Sequence, residues 1–183
     1  MALATTYRRT LRERAADRLG YVTTGDAGEL GVPAQELRKL TQRGGIEHIA
    51  HGLYRFEDFP YTGREQFLEA VLRVGEDAHL VGDAVLALNN LALVNPRKIR
   101  VGVRRRPRRQ LPEFIEVVRD TAPETERQYF DGIPGTTITQ ALLDCRGTVM
   151  RDRLVEAARD AAQRGLLPLK ELDGVVLAIE NGK

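Results

Sequence analysis

A chain of 183 residues has room for one medium domain or two small ones, and its 42% hydrophobic share can supply a packed core. No run of about 18 apolar residues occurs, so no hydrophobic membrane span is expected, and Met1 to Leu19 turns charged too early for the apolar centre of a secretory signal. A lone cysteine, Cys145, excludes an intramolecular disulfide and fits a reducing compartment, the cytoplasm by default, while a net charge of +2 excludes a uniform polycation.

The spacing of Leu11, Ala15, Ala16 and Leu19 predicts a first helix over Thr6 to Leu19, stopped by Gly20. Arg8, Arg9, Arg12, Arg14 and Arg18 crowd it, and some of them could meet a phosphate backbone. A short second helix follows, with Thr24 as N-cap and Ala27 and Leu30 facing inward. Gly31 breaks it, and Pro33 suits the first turn of a third helix that runs to about Arg43 and ends at Gly44-Gly45. The period then becomes alternating. Ile46 to Ile49 and Leu53 to Phe56 read as strands joined through Ala50-His51-Gly52. Asp58 to Gly63, with Pro60 inside, reads as a linker, which divides the chain into residues 1–60 and 61–183.

The informative stretch is Thr24 to Gln42. A helix-turn-helix needs a small residue in its first helix, a residue tolerant of positive φ at the turn, and apolar residues around both. Ala27, Gly31, Leu30, Val32, Leu37 and Leu40 meet these requirements in register. With Leu37 and Leu40 inward, the third helix turns Ala34, Gln35, Arg38, Lys39 and Gln42 outward. Such a helix can read base edges in a major groove, so Gln35, Arg38 and Gln42 are candidates for base contact and Lys39 and Arg43 for phosphate. The hairpin after it has the place of a wing, with His51 at the tip and Arg55 on the return strand as candidate DNA contacts. The competing reading is an ordinary solvated helix with a turn histidine beyond it.

The second part begins with a helix from Arg64 to Val74, then a largely apolar one from Asp83 to Leu93 that stops at Asn95-Pro96. Strands are expected at Lys98 to Arg104, Phe114 to Val118, Gln128 to Asp131 and before Gly135. Helices follow at Thr137 to Asp144, Arg151 to Arg164 and Leu169 to Ile179. The expected class is α+β: an N-terminal winged helix-turn-helix, then several helices around a small sheet. Arg97, Lys98, Arg100, Arg104, Arg105, Arg106, Arg108 and Arg109 run without an intervening acid, which suits DNA backbone or an acidic partner.

Nothing in the residues calls for an enzyme. His48, His51 and His79 lack metal-ligand spacing. Cys145 follows the apolar Ala141-Leu142-Leu143 and reads as a buried thiol. No phosphate-cradling glycine loop occurs. Catalytic residues, metal and cofactor are therefore each expected to be absent.

The sequence also resembles the AbiEi-like antitoxins of bacterial type IV toxin–antitoxin pairs. The likeness lies in the helix-turn-helix followed by Gly-Ile-Glu-His-Ile-Ala-His-Gly-Leu-Tyr-Arg at residues 45 to 55. It continues in Gly82 to Leu88, Asn95-Pro96, Gly132-Ile133-Pro134 and Thr137 to Asp144. The resemblance implies a winged-helix domain that represses its own operon at promoter inverted repeats. It also implies a C-terminal domain that neutralises a nucleotidyltransferase-type toxin encoded nearby, with or without direct contact. An alternative from another class is a protein-interaction module that neutralises a toxin by binding it, without sequence-specific DNA binding. A third is an enzyme fused to a regulatory domain.

Overall fold

A computed structural model describes residues 2–120, 124 and 127–182. It is a mixed helix-and-sheet protein whose contacts divide into two compact units, Met1–Arg73 and Val74–Lys183.

In the first unit, helix α1 covers Ala2–Ala16, strand β1 Tyr21–Thr23, helix α2 Thr24–Glu29 and helix α3 Ala34–Arg43. Strands β2 (Ile46–Ala50) and β3 (Leu53–Phe56) form the expected hairpin, and helix α4 covers Glu65–Val74. Strand β1 was not foreseen. It pairs antiparallel with β3, giving the order β1-β3-β2. The core lies where Leu11 and Ala15 of α1, Ala27, Leu37 and Leu40 meet Val22, Ile46, Tyr54 and Phe56. Burying each large side chain there stabilises the unit by roughly 1.5–3 kcal/mol. Ala16, expected inward, is exposed.

The contact boundary falls beyond the expected linker because α4 is tied into the first unit. Tyr21 Oη donates to Glu69 Oε2 at 3.0 Å, and Arg73 Nη2 donates to Ile49 O at 2.9 Å. Pro60 lies in irregular chain as expected, yet Phe59 before it packs on the core.

The second unit holds β4 (His79–Leu80), α5 (Asp83–Leu88), β5 (Ile99–Val103), β6 (Ile115–Arg119), β7 (Arg127–Phe130) and β8 (Ile133–Thr136). Helices α6 (Ile138–Asp144), α7 (Arg151–Gln163) and α8 (Leu169–Asn181) follow. The sheet order is β6-β5-β4-β8-β7. Within it, β5–β6 and β4–β8 run parallel, and β4–β5 and β7–β8 antiparallel. Helix α5 lies over β8 where Gly135 has no side chain, since a Cβ there would come within 3.1 Å of Val85 Cγ2.

That helix is shorter than its apolar run predicts. Asn90 adopts φ +54°, its amide donates to Ala87 O, and Leu91 N reaches back to Leu86 O at 2.8 Å. This is a Schellman stop with asparagine in the left-handed position. Leu91 is then buried, whereas Leu93 is 84% exposed.

Candidate nucleic-acid interface

Helix α2 begins one residue earlier than Thr24 suggested. Thr23 is the N-cap: its hydroxyl accepts from Asp26 N at 3.0 Å, and Asp26 Oδ2 accepts from Thr23 N at 2.8 Å. This reciprocal box satisfies two backbone donors. The helix ends as the spacing requires. Gly31 takes φ +66°, Gly31 N donates to Gly28 O at 3.1 Å, and Val32 N donates to Ala27 O at 2.8 Å. The chain then turns through Pro33 into α3, where Leu37 and Leu40 are buried. Ala34, Gln35, Arg38, Lys39, Gln42 and Arg43 are all exposed on that helix. Lys39 Nζ lies 2.6 Å from Glu36 Oε1, a surface pair of small energetic weight. Arg38 and Arg43 have no ion pair among the described residues.

The arginines of α1 are largely engaged within the unit. Asp26, 3% exposed, receives Arg18 Nη1 at 2.9 Å and Arg14 Nη1 at 3.3 Å. Arg14 also pairs with Glu29 at 3.1 Å, and Arg12 with Asp58 at 2.9 Å. Arg8 donates to Gly44 O, which ties α1 to the end of α3. These contacts brace α2 and α3 against α1. The Thr23-to-Asp26 spacing and the four-residue step from Arg14 to Arg18 are the sequence signals for this network.

The hairpin tip is held beside α2, because Thr24 N donates to Gly52 O at 2.9 Å. His51 is exposed there. Arg55 is a correction. It sits on the central strand, 2% exposed, and cannot reach a phosphate. Its Nη2 donates to Phe59 O at 3.0 Å, and its guanidinium lies 4.0 Å from the Tyr61 ring centroid. Tyr54 and Phe56 join the core on one face of β3. Tyr21, Tyr61 and the Phe59–Pro60 carbonyls enclose Arg55 on the other.

In the second unit the basic run does not form one cluster. Arg97 and Lys98 precede β5, whereas Arg104, Arg105, Arg106, Arg108 and Arg109 lie in the connection to β6. Those seven residues are exposed. The five residues of β5 between them place Lys98 and Arg104 roughly 20 Å apart. Arg100, on β5 itself, has a side chain that is 31% exposed and stands 3.9 Å from Glu116. One acid, Glu116, is brought beside the run by the neighbouring strand. Cys145 is fully buried, and burial, reinforced by Asp83, pushes its thiol up to about 12.

Comparison with known proteins picks out the segment just described. Residues 9–56 match the family described as "Transcriptional regulator, AbiEi antitoxin". The AbiEi match runs from α1 through α2 and α3 to the end of β3. No curated protein matches the chain. Among solved structures, the chain is similar to the RV2827C protein from Mycobacterium tuberculosis, with a TM-score of 0.43 and 16% identity. That similarity covers 94% of this chain and 71% of the other.

Proposed function

We propose that this chain is an antitoxin that also represses its own operon through a winged helix-turn-helix. In this reading α2 and α3 are the helix pair, α3 enters the major groove and the β2–β3 hairpin is the wing. The observation that carries it is the two-sided character of α3. Leu37 and Leu40 seat the helix, while Gln35, Arg38 and Gln42 face solvent from a backbone fixed by Gly31 and the Asp26 network. The AbiEi match over the same residues supports the same assignment. Gln35, Arg38 and Gln42 read bases, Lys39 and Arg43 meet phosphate, and His51 reaches the adjacent backbone from the tip. The second unit neutralises a nucleotidyltransferase-type toxin encoded nearby, and no catalytic step is assigned to it.

The test is a reporter driven by the gene's own upstream region, combined with expression of the neighbouring gene. Expected results are repression by the intact chain, loss of repression in Arg38→Ala/Gln42→Ala, and rescue of growth when the neighbouring product is toxic. Full repression by the double variant contradicts the recognition face. Rescue without any repression favours a module that acts only on protein.

A further inference from the structure

The sharpest conflict between residue type and backbone in the second unit lies just after α5. Of the five non-glycine residues with positive φ among the described residues, three fall within Asn90–Leu93: Asn90 at +54°, Ala92 at +56° and Leu93 at +49°. The helix stop accounts for Asn90. It does not account for Ala92 and Leu93. Two successive positive φ values are the pattern of a type I′ turn, whose central positions ordinarily hold asparagine, aspartate or glycine. A leucine there crowds its own backbone, and glycine would relieve it.

Water opposes the same residue. Leu93 is 84% exposed, the most exposed large apolar side chain among the described residues. One exposed leucine by itself would carry no meaning. An apolar side chain held against both its backbone and its solvent marks a place of use rather than of packing.

The turn is also held still from beneath. Leu91 and Ala92, directly before Leu93, are buried. Leu91 N donates to Leu86 O at 2.8 Å, and Arg164, one residue past α7, donates from Nη1 to Asn89 O at 2.9 Å. A side chain that projects from a fixed backbone leaves less freedom to lose when it enters a partner's pocket.

The surroundings of Leu93 define the partner's chemistry. Val94 and Pro96, both partly exposed, extend the apolar centre, and the exposed Arg97 and Lys98 border it. Neither cation forms an ion pair among the described residues, and no acid occurs in the sequence between Asp83 and Glu113. An apolar centre with a polar rim is the anatomy of a protein–protein contact. A second copy of this chain fits it poorly, because an isologous contact would bring the same cations together.

We infer that the Ala92–Leu93 turn is a docking knob for a different protein, one that offers an apolar pocket edged by carboxylates. For the identity of that protein the inference rests on the antitoxin reading: the knob is where the second unit grips the toxin.

The test uses the intact chain and the purified product of the neighbouring gene, with growth rescue and calorimetric titration as readouts. The intact chain is expected to rescue growth and to bind the product one to one with a Kd of about 1 μM or below. Leu93→Asn suits the left-handed backbone and removes the apolar side chain. It should weaken binding at least about tenfold while its thermal midpoint stays equal or rises. Arg97→Glu/Lys98→Glu should also weaken binding at least about tenfold, and added salt should weaken the intact complex. Repression of the upstream reporter is expected to be unchanged in Leu93→Asn. Rescue of growth without measurable binding overturns the inference and leaves the antitoxin reading standing. So does undiminished affinity in either variant, or a midpoint of Leu93→Asn well below that of the intact chain. A dimer of the chain alone that Leu93→Asn abolishes in sedimentation also overturns it, because the turn would then belong to a second copy. A neighbouring product without toxicity, or failure of the intact chain to rescue growth, overturns the antitoxin reading itself and this inference with it.

Discussion

Asp26 receives Thr23 N, Thr23 Oγ1, Arg14 and Arg18 while 3% exposed. Removing it leaves two guanidinium groups without their shared partner and α2 without half of its capping box. The expected cost of Asp26→Ala is roughly 3 kcal/mol, the low end for breaking a buried pair because both arginines remain about a third exposed. Urea unfolding measures it. Arg55→Ala makes the opposite point about the hairpin. It should destabilise the first unit by roughly 2–4 kcal/mol through lost stacking and unpaired carbonyls, while leaving the salt dependence of DNA binding unchanged. A reduced salt slope at unchanged stability would return Arg55 to the interface. Spacing along a strand shows which residues share a face, not whether both faces are covered, and that is why Arg55 could not be placed from sequence. Cys145 was legible, since its apolar neighbours already implied burial. Its thiol holds a proton more tightly in the folded state, rising from 9.0 to about 12. The folded chain therefore binds more protons than the unfolded chain between those values, and this stabilising contribution is complete below about pH 9 and falls away as pH rises toward 12. At neutral pH alkylation should be slow in the native protein and rapid in urea.

At the scale of elements, the turn between α2 and α3 tests how far backbone geometry controls the exposed face of α3. Nothing lies within 4 Å of a Cβ built on Gly31, so Gly31→Ala meets no steric obstacle and feels only its φ of +66°. The expected loss is about 1–2 kcal/mol, read as a lowered unfolding midpoint with a native spectrum. A loss far above this would mean that the turn does more than bend the chain. Helix α3, the β2–β3 hairpin and α6 to α8 were readable because their periods are long or their stops are glycines and prolines. Strand β1 has three residues and β4 two, too few to show an alternation. The end of α5 was missed for a different reason. Leu91 and Leu93 continue an apolar pattern, but the backbone is left-handed at Asn90, Ala92 and Leu93, which takes the chain out of the helix and leaves Leu91 buried and Leu93 exposed.

For the whole molecule, the charge distribution says more than the net charge of +2. The arginines of α1 read from sequence as a basic cluster, but Arg12, Arg14 and Arg18 are bound to Asp58, Asp26 and Glu29 from outside that helix. Exposed cations stand on α3 and on the β5–β6 connection, among other places. Each phosphate contact removed lowers the slope of log affinity against log salt by about 0.9. Lys39→Ala should do this once, about equally for every DNA sequence. Replacing Arg105, Arg106 and Arg108 together separates two uses of that connection. A shallower slope assigns it to DNA, and an unchanged slope with lost toxin antagonism assigns it to an acidic protein surface.

The most direct measurement is fluorescence anisotropy of the intact chain on its own upstream DNA, compared with a scrambled duplex at the same salt. Tighter binding to the native sequence is expected, with at least about a tenfold loss in Arg38→Ala/Gln42→Ala on that sequence and little change on the scrambled one. Equal affinity of the intact chain for both duplexes, or undiminished discrimination by the double variant, would contradict α3 as the element that reads DNA.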